Sequence, residues 1–201
     1  MSLRKVIQAA EEFVKNKYSN DTTGHDWYHM DRVRKLSLKI YQVEQTGDPQ
    51  LIELIAILHD IPDSKLNNSK EEGENLLSMW LESNLSETTM IEKIKNDIAS
   101  ISFREGKREG LSPEAAIVQD ADRLDAIGAM GIARAFTYGG HKGQPIYIPN
   151  DQVVTSTLAH FYDKLLLLKD LINTKTGKEM AEDRHHFILL FLEQFKKEMM
   201  E

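Results

Sequence analysis

Ile55-Ala56-Ile57-Leu58-His59-Asp60-Ile61-Pro62-Asp63-Ser64-Lys65 is an apolar run that ends in an imidazole and a carboxylate. Leu51, Leu54, Ile55 and Leu58 recur at i, i+3, i+4 and i+7, and the residues between them are also mostly apolar. That spacing predicts a helix buried on most sides. Burying a histidine and an ionised aspartate without partners costs on the order of several kcal/mol, so the pair must be hydrogen-bonded, ion-paired or bound to a metal ion. Pro62 stops the helix and releases Asp63 and Lys65 into a loop at the same mouth.

Working outward, every neighbouring segment reads as a helix. Val6, Ala9, Ala10, Phe13 and Val14 keep helical spacing over residues 3–18, and Val33, Leu36, Ile40 and Val43 form one stripe of a helix that opens near Asp26. Ser69-Lys70-Glu71-Glu72 is a capping box before a further helix, and another is expected over residues 86–100. Residues 101–111 read as a polar loop. Ser112-Pro113-Glu114 then caps a helix expected from Ala115 to about Tyr138, with a bend or close crossing at Gly128 and Gly131. Gly139-Gly140-His141-Lys142-Gly143 opens a glycine-rich loop without the phosphate-binding signature of a P-loop. A helix is expected over residues 151–171. Thr176-Gly177-Lys178-Glu179 reads as a second capping box, before a last helix with Phe187, Leu190, Phe191 and Phe195 on its inner face. The expectation is an all-α, single-domain helical bundle over 1–201, its core at about 20–130 and its C-terminal helices, 151–201, packed on that core.

Composition narrows the function classes. The 201 residues carry 25 basic and 32 acidic side chains, a net charge of −7, which disfavours duplex nucleic acid as a partner. Cysteine is absent, which excludes disulfides, thiolate metal ligands and a cysteine nucleophile. No apolar run approaches the ~18 residues of a membrane span, and the amphipathic Met1-Ser2-Leu3-Arg4-Lys5-Val6 has no signal-peptide core, so a cytoplasmic location is expected. Exposed helices and eight methionines offer material for a homodimer, although Met30, Met79 and Met130 are equally read as core filling.

Two further clusters share the chemistry of the His59-Asp60 mouth. His25, His29 and Arg32 fall on one face at the start of the second helix, and two histidines at i, i+4 can share an ion. In Gln119-Asp120-Ala121-Asp122-Arg123-Leu124-Asp125, Asp122 and Asp125 point together while Asp120 points away, and spacing leaves open which side meets the mouth. His25-Asp26-X-X-His29 also imitates the zinc-protease motif H-E-x-x-H with a shortened carboxylate, which leaves His59-Asp60 unexplained.

Helical His29, then His59-Asp60 at a helix end, then an aspartate on a later helix resembles the HD superfamily of metal-dependent phosphohydrolases, whose pattern is H…HD…D. His25-Asp26-Trp27-Tyr28-His29, His59-Asp60-Ile61-Pro62-Asp63-Ser64-Lys65, the 119–128 run and Tyr138-Gly139-Gly140 are similar to small bacterial members that split nucleoside triphosphates into monophosphate and pyrophosphate. The resemblance covers nearly the whole chain. It implies His29, His59, Asp60 and Asp122 as ligands of one divalent ion, favouring Asp122 over Asp120. It implies Asp63 and Lys65 as catalytic groups: Asp63 for proton transfer to or from the attacking water or leaving oxygen, Lys65 to offset charge on the phosphoryl oxygens. It implies Arg32 and Asp125 as phosphate contacts or supports of the site, with His25 adjacent on the substrate side; Arg104, Lys107 and Arg108 in the polar loop, Lys142, and Lys164 or Arg184 are further cations available to substrate phosphates. A nitrogen and oxygen donor set suits Mn²⁺ first, and also Mg²⁺, Fe²⁺, Co²⁺ or Zn²⁺. The alternatives are a nucleoside monophosphate phosphatase and a nucleotide-binding HD domain without turnover. Asp60-Ile61-Pro62-Asp63 lacks the Glu-Asp pair that follows HD in the hydrolases of guanosine tetraphosphate.

Overall fold

A computed structural model describes residues 2–19, 24–101, 110–149 and 155–200. Among the described residues the chain forms nine α-helices and one 3₁₀ segment without a strand, so the all-α expectation holds. It separates into two compact units, Met1–Ala121 and Asp122–Glu201. None of the described helices is long and apolar enough to cross a membrane.

The first unit contains α1 (Leu3–Tyr18), α2 (Trp27–Glu44), α3 (Pro49–Leu58), α4 (Lys70–Asn84), α5 (Thr88–Ile101) and the first part of α6 (Pro113–Asp125). Its centre is α3, which packs against α1, α2 and α5. Ile52 and the whole of Leu54, Ile55, Ala56, Ile57 and Leu58 are buried, as an apolar helix without a polar face requires. Each of the larger side chains contributes about 1.5–3 kcal/mol by leaving water. The helix begins where Asp48 accepts hydrogen bonds from the Gln50 and Leu51 amides, with Pro49 in its first turn. It ends at His59, the C-cap. The centre of the core therefore delivers the His-Asp pair.

A polar staple joins the start of α3 to α5 and α6. Buried Glu114 accepts from the Asp48 amide at 2.9 Å and from Lys93 at 3.0 Å; Lys93 also reaches Asp97 at 2.8 Å, and Ser112 donates to Asp97 at 2.8 Å. Burial works to raise the Glu114 pKa, but the Asp48 N–H and the Lys93 ammonium prevail and hold it below its ordinary value. A lowered folded pKa gives stability that is present above the unfolded value and is lost as pH falls through the folded one. Glu114→Gln is expected to cost about 1–2 kcal/mol at neutral pH. Urea unfolding at several pH values should show that gap closing below the ordinary value of 4.5.

The second unit contains the last turn of α6, then α7 (Gly128–His141), α8 (Thr157–Asp163), the 3₁₀ segment Leu165–Leu171 and α9 (Lys175–Met200). Several sequence expectations are corrected in this unit. The helix expected to run from Ala115 to Tyr138 breaks outright after Asp125, and α7 restarts at Gly128, whose φ is +73°. The break is held by Arg184, which donates to the Leu124 carbonyl freed there, and by close packing at Gly131, where a Cβ would lie 2.2 Å from the Ala126 oxygen. Gly139 and Gly140 belong to α7 and not to a loop, and Lys164 divides the helix expected over 151–171, of which 151–154 lie outside the described residues.

The cap before α9 is Thr174, which accepts from the Gly177 amide at 3.0 Å, so Thr176 is already helical. On α9 itself Phe187 and Leu190 are 48% and 50% exposed, while Ala181, Ile188 and Leu192 face the core. Phe191 and Phe195 are half-buried; Phe191 stacks on Phe161 and meets Phe136 edge to face, and Phe195 meets Tyr147 edge to face. Of the methionines read as core filling, Met30 is buried and Met79 and Met130 are exposed.

Candidate metal centre

Three short segments of the first unit build the site. The Asp26 carboxylate caps α2 by accepting from the His29 amide at 2.8 Å, which fixes His29 in the first helical turn. Packing of α2 against α3 brings the His29 ring to 5.4 Å from that of His59 and 5.7 Å from that of His25, centroid to centroid. Asp26 is thereby committed to a backbone cap, which removes the general base that a zinc-protease motif would require.

Asp60 is the hub. Its Oδ2 lies 2.7 Å from His25 Nδ1 and 3.2 Å from His29 Nε2, and its Oδ1 lies 3.5 Å from His59 Nε2. All four side chains are buried or nearly so. Burial pushes the Asp60 carboxyl up, but the His59 and His25 imidazoles and the hydrogen bonds from His25 and His29 outweigh it and hold the group well below the usual carboxylate range. Asp60 is therefore an anion at neutral pH.

The donor set fits a divalent ion. His59 Nδ1 lies 2.8 Å from the Ala56 carbonyl, which can only accept, so Nδ1 carries a proton and Nε2 is the nitrogen turned toward the carboxylate. A metal-binding histidine is oriented in the same way, its second nitrogen anchored to a carbonyl. His25, His29 and Asp60 offer ligand atoms within 4.8 Å of one another. His25 is otherwise engaged: its Nδ1 meets the anionic carboxylate and must donate, leaving Nε2 to accept from Lys65 Nζ at 3.0 Å. Lys65, His25 and Asp60 form a chain in which the imidazole orients the carboxylate and links it to the ammonium.

The loop after α3 is rigidly shaped. Asp63 Oδ1 accepts from the Lys65 amide at 2.8 Å, while its backbone N–H donates to Asp60 O at 2.9 Å. Asn67 bridges the loop by donating to Ile61 O at 2.7 Å and Asp63 O at 2.9 Å. Helix α4 closes over it at Gly73, where a Cβ would lie 2.6 Å from Asn67 Nδ2 and 2.8 Å from Pro62 Cα. Sequence reasoning missed Asn67, because an asparagine in a polar loop is indistinguishable from a solvated one. It also missed Tyr18, the last residue of α1, whose buried hydroxyl has no hydrogen-bond partner among the described residues. Such a group costs about 1–3 kcal/mol.

Arg32 is half-buried on α2, three residues after His29. Arg104, Lys107 and Arg108 lie outside the described residues. In the second unit, Asp122 is half-buried on the last turn of α6, and buried Asp125 pairs with Arg134 at 2.9 Å. Arg184 is turned inward onto Leu124 O, and Lys142 lies 5.7 Å above the Tyr138 ring.

Residues 26–127 match the HD domain family. The chain is 39% identical to the uncharacterised protein YpgQ of Bacillus subtilis over 97% of this chain and 96% of that one. The crystal structure of YpgQ in complex with ADP superposes with a TM-score of 0.82 at 35% identity, covering 98% of this chain and 97% of that chain. A Bacillus thuringiensis structure described as an HD-superfamily hydrolase gives a TM-score of 0.78 at 42% identity, covering 98% of both chains. The chain belongs to the HD domain family and is a metal-dependent phosphohydrolase at the level of that family.

Proposed function

We propose that the protein hydrolyses nucleoside triphosphates, ribose or deoxyribose, to the monophosphate and pyrophosphate, with one divalent cation held by His29, His59, Asp60 and Asp122. The observation that carries this reading is the convergence of His29 Nε2 and His59 Nε2 on the Asp60 carboxylate at the end of a buried helix. Asp122 is included because α6 is one continuous helix. Ile117, Val118 and Ala121 are buried, and Gln119 is tied by its amide to the Ser100 and Ile101 carbonyls. Asp122 is the next residue on that anchored helix.

Bound there, a cation supplies Lewis acidity toward a phosphoryl oxygen and lowers the pKa of water at the site. Mn²⁺ is the first choice for two imidazoles and two carboxylates. The protein's own groups do the rest. Asp63, three residues past Asp60 in the braced loop, takes or returns the proton of the attacking water or the leaving oxygen. Lys65 keeps a positive charge at the mouth, held by His25, where negative charge accumulates on the phosphoryl group. Arg32 and Arg104 are proposed to receive the remaining phosphates. The complex of YpgQ with ADP supports a nucleotide as the small-molecule partner, and the cytoplasm is the compartment proposed for it.

A screen of phosphate esters and nucleotides with Mn²⁺, Mg²⁺, Co²⁺, Fe²⁺ and Zn²⁺, products resolved as pyrophosphate or orthophosphate, tests the reading. Pyrophosphate from triphosphates with Mn²⁺ is the expected result. Orthophosphate from monophosphates alone would replace it with the phosphatase alternative. Nucleotide binding without turnover would make the chain a sensor.

A further inference from the structure

Tyr18 is the buried polar group closest in sequence to the His25 segment that no structural contact explains. Its side chain is 4% exposed at the end of α1, and its hydroxyl has no hydrogen-bond partner among the described residues. A phenylalanine would fill the same space without stranding an oxygen, so the hydroxyl gains nothing for the fold where it stands. Two observations tie it to the metal centre. Helix α1 packs directly on α3, the helix that carries His59 and Asp60. Burial pushes the phenol up to about 12, and the charge that adds to this rise is that of Asp60. The hydroxyl therefore lies in the field of the hub carboxylate and remains protonated, a donor and not a base.

Asp60 is not its acceptor. The carboxylate oxygens face His25, His29 and His59, and none of the Asp60 contacts involves Tyr18. A buried donor in that field calls for an acceptor that the described residues do not supply. We infer that the Tyr18 hydroxyl donates a hydrogen bond to a phosphate oxygen of the bound substrate, beside the ion-binding carboxylate. The inference rests on the phosphohydrolase reading of the site. An anionic phosphate oxygen is the fitting acceptor, because a charge-assisted hydrogen bond is about twice as strong as a neutral one. The Lys17 ammonium, 5.6 Å from the Tyr18 ring centroid, supplies positive charge on the same side of α1.

The test is Tyr18→Phe, which removes one oxygen. Three quantities are compared with the wild type: melting temperature, Mn²⁺ affinity, and affinity for inorganic pyrophosphate in the presence of Mn²⁺ by calorimetry, with KM and kcat for a nucleoside triphosphate measured alongside. The expected result is a melting temperature equal to or above that of the wild type, unchanged Mn²⁺ affinity, and pyrophosphate affinity weakened about 10-fold with a parallel rise in KM. Unchanged pyrophosphate affinity overturns the inference and leaves an ordered water as the hydroxyl's partner. A lowered melting temperature with weakened Mn²⁺ affinity also overturns it, since the hydroxyl would then be a structural support. The two proposals fail separately. A wild type that binds pyrophosphate through Tyr18 but leaves triphosphates intact sinks the proposed reaction alone, whereas normal hydrolysis by both proteins with equal KM sinks the role of Tyr18 alone. A wild type that binds no pyrophosphate sinks the inference.

Discussion

Asp60→Ala is expected to lose both the divalent ion and hydrolysis, the rate falling by more than about 10³-fold. Asp60 is the anion on which the three imidazoles converge, with separations of 2.7, 3.2 and 3.5 Å to His25, His29 and His59. Without it the imidazoles retain neutral lone pairs but no charge to offset the cost of stripping water from a divalent cation. His25 loses its acceptor at the same time, so the ordered chain to Lys65 collapses. Metal content by mass spectrometry after dialysis against Mn²⁺, together with turnover, reads both effects. Asp60→Asn keeps the shape and removes the charge, and should behave like the alanine variant. Retained ion and retained rate in both would remove Asp60 from the centre.

Asp63→Ala should give the opposite division: ion retained, kcat lowered by about 10²–10⁴-fold, the range of a lost general acid or base. The side chain stands outside the cluster around Asp60, its Oδ1 occupied by the Lys65 amide at 2.8 Å. That contact also makes Asp63 a loop-shaping residue, so alanine alone would confound two roles. Asp63→Asn separates them. An amide oxygen still accepts from the Lys65 N–H, so the loop keeps its form, but the group no longer moves a proton at neutral pH. Equal losses in the two variants assign the effect to proton transfer. An active Asp63→Asn beside an inactive Asp63→Ala would restrict Asp63 to holding the turn.

Much of the first unit was legible because its signals are local. Stripes of Val and Ile at helical spacing, Ser69 before Lys70 and Ser112 before Pro113 each mark a helix through contacts within one turn, and these two serine caps form as read. One half of a capping box did not: the Glu72 carboxylate turns to Asn68 and not to Ser69, because Asn68 offers both its amide and its side chain. The second unit was less legible for the same physical reason. A helix break at Ala126-Ile127 carries no proline and depends on Arg184, a residue 60 positions from the Leu124 carbonyl that it occupies. The outward turn of Phe187 and Leu190 is equally invisible to periodicity, since α9 has apolar residues on more than one face and packing selects which face is covered.

By itself, the sequence determined that this protein is all-helical, that its most apolar helix ends in His59-Asp60, and that His25 and His29 start another helix on one face, since each of these follows from spacing along a single element. Only tertiary structure decided what those residues do to one another. The packing of α2 and α1 on α3 turned three imidazoles toward one carboxylate, made His25 a link between Asp60 and Lys65, and buried the Tyr18 hydroxyl without a hydrogen-bond partner among the described residues. The reason is range: helical periodicity acts over a few residues, whereas a hydrogen bond between side chains 35 or 40 positions apart exists only once the core has formed.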